Sequence, residues 1–450
     1  MDSARALERR REETLVRAWR LVPGVVALVV VVSALWGRVV LYADGSNYLY
    51  WILRRRSFYW SSYEHFFSRS EAQVITQAPV RLALEFHVYP LPWLIALYGV
   101  GLFVIPNALW MLAIYRQRDE QRFWYFTALY LVTLCAQFYA VSESLLTYAL
   151  VALAASMILR DVEPNPRRAW AVATISMALV ASYEVTLLLA PLLGLFILGW
   201  WWRAGATRTG LAVTGPLALA LAALGTSTAL AYVTIRSHAE SAGPTTALSL
   251  HFLLAGGHAV LVATLVVVAL AASTYLSGRW RFAVLAVAAL AVLVLLDPHH
   301  WAAPNVAYYA RVYVGVVLAG GLLLVAPRFV FGWGPRPSAA PEFVAPRLLV
   351  SALAILLTVS FAANAEGFGA WNKSLQRIVT THHGVLPFFS GLGRSVQQFS
   401  RYGWFWTTPE QSLLDQTHRH QAVVNNPNPS ENFEITPGVP SSYLSPRYFG

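Results

Sequence analysis

Runs of about twenty apolar residues alternate with short polar or basic segments along most of the chain. A helix of about twenty apolar residues is long enough to cross a bilayer, so each run predicts a transmembrane helix. The pattern predicts an all-α polytopic membrane protein with about eleven spans. The expected spans are 21–41, 90–115, 123–159 (two helices), 169–202 (two helices), 211–233, 248–276, 282–296, 312–326 and 348–363.

Three regions follow from this pattern. Residues 1–20 form a basic N-terminus, residues 21–364 a transmembrane module, and residues 365–450 a small polar and aromatic C-terminal tail. The first loop of the module, residues 42–89, mixes aromatic residues with arginine. This mixture predicts helices that lie in the plane of the membrane interface.

The composition narrows the class further. Hydrophobic residues make up 57% of the chain and charged residues only 12%, whereas about a quarter of an ordinary soluble protein is charged. The net charge of +11 comes from arginines in short loops, which set membrane topology, so we expect no nucleic-acid partner. The single cysteine, Cys135, excludes an intrachain disulfide.

The distribution of arginine predicts sidedness. If the N-terminus is cytoplasmic, the short outer loops contain only Arg236 and Arg311, whereas the inner loops contain thirteen arginines. This asymmetry is the one that the positive-inside rule requires. We therefore expect a protein of the bacterial inner membrane, in contact with its lipids, with the N-terminus cytoplasmic and the first loop and C-terminus extracytoplasmic.

Several polar residues fall at the predicted outer ends of spans or in outer loops. Charged groups at a membrane are costly, and they usually face a cavity or a partner. Their position on one side predicts a cavity that opens outward at the level of the lipid headgroups. The alternative is that each acid ends a helix or pairs locally with arginine. The residues are Asp44, Glu143, Glu184, Asp297, His299, His300 and Arg311.

The stretch LYADGSNYLY, residues 41–50, follows the first apolar run directly. A basic N-terminus, one span, an acid just outside it, a long first outer loop and many further spans together resemble the GT-C superfamily of glycosyltransferases. In that superfamily an aspartate of the first outer loop, often followed four residues later by tyrosine, is the usual catalytic position. Asp44 and Tyr48 match this pattern, with Gly45 where a second acid often stands.

The resemblance implies a polyprenyl-phosphate-linked sugar as donor and a glycan, lipid or protein as acceptor. Asp44 would act as general base on the acceptor hydroxyl, so that the product is inverted. The departing phosphate needs a fixed cation, and arginine suits it best. We expect Arg69, Arg81 and Arg311 in that role. Arg38, inside the first predicted span, is expected to extend its side chain toward the interface.

The remaining polar residues are predicted to contact substrate. Two adjacent histidines rarely bind one ion, so a divalent metal at residues 297–300 is the less favoured interpretation, and no cofactor is firmly implied. Glu184 could bind acceptor hydroxyls or cap the next helix. The predicted substrate-binding residues are Tyr48, Glu143, Glu184, Asp297, His299, His300 and Tyr308.

Other functions remain open from the sequence. A transporter or lipid flippase predicts repeated halves and interrupted helices at the membrane midplane, and the chain contains no visible repeat. A non-catalytic protein of envelope assembly would not need the Asp44 carboxylate. An acyltransferase would need a histidine beside an activated hydroxyl, which the sequence does not place.

Overall fold

The computed structural model describes residues 18–59, 69–138, 144–160, 164–203, 210–237, 258–276, 283–289, 304–329, 344–388, 402–403, 407–425 and 443–449. These residues are mostly helical. The helices are α1 Val22–Trp36, α2 Asp44–Arg55, α3 Ser70–Glu85, α4 Leu91–Gly99, α5 Ile105–Tyr115, α6 Glu120–Gln137, α7 Ser144–Arg160, α8 Pro166–Ala178, α9 Thr186–Arg203, α10 Leu211–Ser237, α11 His258–Ser273, α12 Pro304–Phe329, α13 Val344–Thr381 and α14 Thr408–Leu414.

Four helices of the described region are long and apolar enough to cross a membrane: Leu91–Tyr115, Thr186–Arg203, Leu211–Ser237 and Pro346–Thr381. The chain is therefore an all-α protein with membrane-spanning character, but the prediction of about eleven spans is wrong. Several apolar runs form helices that are too short. α1, for example, has only 15 residues, because the backbone turns into the left-handed region at Arg38 (φ 52°).

The predicted span 90–115 is one continuous rod, in which α4 and α5 are joined through a π-helical segment, Val100–Val104. The last predicted span, 348–363, lies inside the much longer α13, which runs on through the predicted boundary at residue 364. The extension is amphipathic, because apolar side chains recur every three or four residues and are buried. They are Ala365, Phe368, Trp371, Leu375 and Val379.

Helix α6 is the centre of the bundle. Every residue from Phe123 to Leu134 is buried. The helix packs against α12, α11 and α13, with further contacts to α5 and α7. Because α6 contacts protein on all sides, its tyrosines and threonines need partners inside the bundle; the Tyr125 hydroxyl, for example, donates to the carbonyl of Gly321 on α12 over 2.6 Å.

One end of the bundle is closed by an ionic cluster. Arg20 precedes α1 and donates from Nε to Glu120 Oε1 over 2.7 Å, and Arg347 of α13 lies 3.4 Å from Glu120 Oε2. Glu120 begins α6 and Arg347 lies in the first turn of α13. α1, α6 and α13 therefore all begin at the same end of the bundle.

The described parts of the C-terminal tail pack onto this frame. α14 lies on α2, and strand β1 (Val385–Pro387) pairs in parallel with β2 (Val423–Asn425), with Val385 opposite Val423. The Tyr448 hydroxyl donates to the carbonyl of Leu53 over 2.7 Å, which fixes the last described segment to the end of α2. The tail thus covers the helix that begins at Asp44.

Candidate functional site

Asp44 is the first residue of α2 and follows a tight reversal of the chain. Between α1 and α2 the backbone forms a short 3₁₀ helix, Val39–Leu41, flanked by left-handed Arg38 (φ 52°) and by Ala43 (φ 50°). A carboxylate in the first turn of a helix is stabilised by the helix dipole. Asp44 is half-buried, whereas the residues that follow it on α2, from Gly45 to Leu53, are buried.

One turn beyond Asp44, the helix presents two further polar groups. Asn47 is 3% exposed, and its Oδ1 is buried without a hydrogen-bond partner among the described residues. Tyr48 is also buried, with its ring centroid 5.2 Å from that of Tyr59. Residues three and four apart share a helix face, so Asp44, Asn47 and Tyr48 lie on one side of α2.

Three of the residues selected from the sequence meet at a second position. Arg69, just before α3, donates from Nε to Glu184 Oε1 over 2.7 Å. Its guanidinium carbon lies 5.2 Å from the ring centroid of Tyr183, and that of Arg311, on α12, lies 5.9 Å from the same ring. Two guanidinium groups from distant parts of the chain therefore share one aromatic ring.

Backbone contacts hold this cluster in place. The amide of Glu71 donates to the carbonyl of Ala181 over 2.8 Å, and the amide of Ala181 donates to the Glu71 carboxylate over 3.1 Å. The Tyr148 hydroxyl, on α7, donates to the carbonyl of Arg311. The start of α3, the turn between α8 and α9, and α12 are thereby tied together.

Glu184 is ionised at neutral pH. Burial by itself would raise the pKa of this carboxyl, but the Arg69 guanidinium beside it and the nearby Arg311 more than offset that effect. The net result is a pKa below the usual value for glutamate. The turn between α8 and α9 thus carries a fixed negative charge between two fixed positive charges.

Arg81 lies elsewhere. It donates from Nη2 to Glu85 Oε1 over 2.6 Å, also donates to the carbonyl of Arg56, and lies over the ring of Phe58. On a helix rising 1.5 Å per residue, Arg81 stands about 18 Å along α3 from Arg69. The structure therefore places Arg69 and Arg311 together and Arg81 apart from them.

Contacts within the first loop join the end of α2 to α3. The end of α2 meets α3 where Arg56 accepts from Arg81. One turn earlier on α3, Gln77 exchanges hydrogen bonds of 2.8 and 2.9 Å with the backbone of Tyr59, whose ring lies against Tyr48. Arg56 and Tyr59 both follow the last residue of α2, so these contacts join the end of α2 to the middle and end of α3.

Several selected residues fall outside the described part of the chain, namely Glu143, Asp297, His299 and His300. Tyr308 belongs to α12, but its side chain also lies outside that part. Among the residues that the structure does describe, no group of three His, Cys, Asp or Glu side chains could hold a metal ion.

The sequence analysis missed two buried acids in the tail. Glu410 of α14 is 1% exposed, and neither of its carboxylate oxygens has a hydrogen-bond partner in the described region, so burial raises its pKa to about 8. Burial also raises the pKa of Asp415 to about 7, although Arg38 and Asn372 oppose the shift. The sequence Thr407-Thr408-Pro409-Glu410 is typical of a helix start and could have predicted α14. No local pattern indicated that α14 would be buried against α2.

No family model matches this chain, and no curated protein or solved structure resembles it closely enough to count as a match.

Proposed function

We propose that this protein is a GT-C-like membrane glycosyltransferase, which transfers a sugar from a polyprenyl-phosphate donor to a hydroxyl of a glycan, lipid or protein acceptor. The convergence of Arg69, Arg311 and Glu184 at Tyr183 is the observation that carries this proposal. Two arginines provide the bidentate donors that a phosphate requires, and a carboxylate between them can accept from sugar hydroxyls.

Asp44 is the proposed general base. Its half-buried position at the start of α2 leaves it accessible to a substrate, and the adjacent Asn47 Oδ1 is a buried acceptor without a partner among the described residues. An acceptor hydroxyl would lose its proton to the Asp44 carboxylate while its oxygen attacks the anomeric carbon. The bond from that carbon to the phosphate oxygen breaks, and the lipid phosphate leaves with the electron pair, stabilised by the arginines.

The location belongs to the same proposal. A donor carried on a long lipid requires an enzyme in the membrane, and the four long apolar helices of the described region satisfy that requirement. The arginine asymmetry favours a cytoplasmic N-terminus with the site on the extracytoplasmic side, and the GT-C resemblance adds the bacterial inner membrane to the proposal. The Arg20–Glu120–Arg347 cluster would then lie at the cytoplasmic end.

The test is Asp44→Asn in a cell that lacks the native protein, with surface glycans profiled by mass spectrometry. General-base catalysis contributes about 10²–10⁴-fold to the rate. Cells that carry the variant should therefore show the same glycan profile as the deletion strain. Asp119→Asn is the matched control. Asp119 caps α6 by accepting from the Arg122 amide over 3.0 Å, and asparagine caps a helix equally well.

Protein levels of both variants are matched by immunoblot before the glycans are compared. A wild-type glycan profile from Asp44→Asn would refute the enzymatic proposal and would leave the envelope-assembly role. Loss of the glycan in Asp119→Asn as well would show that the assay responds to any carboxylate change, and it would remove the support for Asp44.

A further inference from the structure

Two cavities meet at Arg38, in the reversal between α1 and α2. The first, of about 270 Å³, is termed the apolar cavity. The second, of about 280 Å³, is termed the polar cavity. Arg38 and Gln376 line both cavities. The apolar cavity is otherwise lined mainly by Pro90, Leu91, Ile95, Leu414, Tyr448 and Phe449, and the polar cavity includes Trp36, Glu366, Asn372 and Lys373.

Arg38 lies close to a carboxylate of the C-terminal tail. Its side chain is 36% exposed, and its Nη1 lies 4.0 Å from Asp415 Oδ1. That distance is too long for a hydrogen bond. Within the described residues, Asp415 is its only ionic partner, and Arg38 lines both cavities.

Gln416 also lines the apolar cavity and is 3% exposed. Its Nε2 donates to the carbonyls of Gln421 and Ala422, at 2.9 and 3.3 Å, which fixes the orientation of the amide because a carbonyl can only accept. The amide therefore ties this part of the cavity wall to the residues just before β2.

Asp415 is held beside the same site. Its Oδ1 accepts from Asn372 Nδ2 over 3.2 Å, and Asn372 in turn accepts from Gln411 over 2.6 Å. Its Oδ2 is buried without a hydrogen-bond partner in the described region. This network connects α13 with the segment after α14, and it holds an acidic group next to Arg38.

We propose that the apolar and polar cavities together bind a phosphate-bearing amphiphile. Its phosphate is held by Arg38, its chain lies along the apolar cavity, and its headgroup lies in the polar cavity. Lys373, in the polar cavity, supplies a second cation for the headgroup. A free phosphate ion would use Arg38 but would leave the apolar lining uncovered, whereas a neutral lipid would bring no anionic group to Arg38 and Lys373.

The site is distinct from the Arg69–Glu184 cluster in its residues, and the proposal does not require that the protein transfers a sugar. What defines the ligand class is a phosphate with net negative charge and an attached apolar chain.

The experiment is calorimetric titration of the full-length protein in a non-ionic detergent. The probes are dihexanoyl phosphatidylglycerol, dihexanoyl phosphatidylcholine, glycerol 3-phosphate and inorganic phosphate. Phosphatidylglycerol should bind at least tenfold more tightly than phosphatidylcholine, because the positive charge of the choline group compensates the phosphate that Arg38 and Lys373 would bind. It should also bind at least tenfold more tightly than the two chainless phosphates, because these leave the apolar cavity empty.

Arg38→Asn should weaken phosphatidylglycerol binding at least tenfold. Asparagine tolerates the left-handed backbone of this position, so the reversal should persist. Arg377→Asn is the matched control: Arg377 is exposed on α13 next to Gln376 but lines neither cavity, and its loss should leave binding unchanged.

Equal binding of phosphatidylglycerol and phosphatidylcholine by the wild-type protein would overturn the proposal. Inorganic phosphate binding as tightly as the lipid would overturn it too, since the chain would then contribute nothing. These two outcomes need no variant, so the proposal can be refuted even if Arg38→Asn does not fold.

Discussion

The Nε atom of Arg69 and the Oε1 atom of Glu184 lie 2.7 Å apart, although 115 residues separate them in the chain. This pair joins the first loop to the turn between α8 and α9, and both side chains are less than 20% exposed. Because Arg311 reaches the adjacent Tyr183 from α12, the pair belongs to a small charged cluster that connects three parts of the bundle.

Glu184→Gln should lower the thermal midpoint of the protein at pH 7. Removing one member of a buried ion pair leaves the other charge uncompensated, which costs about 3 kcal/mol. The depressed pKa of Glu184 contributes stability that is present above its ordinary pKa and is lost as the pH falls through the folded value. The difference between variant and wild type should therefore shrink in acid, as measured by thermal denaturation from pH 7 to pH 4.

The control for this prediction is Glu85→Gln. Glu85 pairs with Arg81 over a similar distance, 2.6 Å, but its side chain is 66% exposed. An exposed pair contributes about 0–1 kcal/mol, so this variant should change the midpoint little. An equal loss in both variants would mean that burial does not strengthen the Arg69–Glu184 pair.

Glu410→Gln should have the opposite pH dependence. The pKa of the buried Glu410 is raised to about 8, so the folded protein retains a proton that the unfolded chain releases near pH 4.5. The stability gained in this way is complete below the unfolded pKa and is lost as the pH rises toward 8, at about 1.4 kcal/mol per pH unit for one proton. Wild type and variant should thus be similar at pH 5, with the variant more stable at pH 8.

Thermal midpoints of both proteins between pH 5 and pH 8 measure this difference. Glu366→Gln is the control, because Glu366 is an exposed carboxylate on α13. If Glu410→Gln and Glu366→Gln respond identically to pH, the Glu410 carboxyl is not protonated in the folded protein.

Gly315→Ala, on α12, should destabilise the charged cluster of Arg69, Glu184 and Arg311. An added Cβ would collide with Val185 Cγ2 and would lie 3.1 Å from the Tyr148 hydroxyl, which donates to the carbonyl of Arg311. Overpacking of this kind costs about 1–3 kcal/mol. Gly320→Ala, on the same helix, meets nothing within 4 Å and should be neutral or stabilising by up to about 1 kcal/mol.

The two glycine variants are compared by thermal denaturation in one detergent. Hydrogen exchange of the turn at residues 179–185 then localises the effect, and faster exchange is expected only in Gly315→Ala. If neither the hydrogen exchange nor the thermal midpoint changes in Gly315→Ala, then α12 does not pack closely against the turn between α8 and α9.

Much of the helical frame could be predicted from the sequence. The continuous rod from Leu91 to Tyr115 and the two helices on either side of Ser182–Glu184 follow from apolar runs and their polar breaks. The same apolar runs led us to predict too many transmembrane spans. An apolar run indicates which residues avoid water, but it does not indicate whether they contact lipid or other helices. α6 shows the difference, since protein surrounds it on every side.

The residues of the candidate site could be selected from the sequence, but their mutual contacts could not. Local sequence selected Glu184 and Arg311 because a charge beside an apolar run is conspicuous by itself. Arg69 was selected as an arginine of the first loop, and Asp44 through the resemblance to a family motif. Tertiary structure alone decided that Arg69, Glu184 and Arg311 meet at Tyr183 while Arg81 lies apart, since contacts between distant segments leave no local pattern. It also buried Glu410 and Asp415 and placed Asp415 beside Arg38, because the cover over these acids comes from helices hundreds of residues earlier.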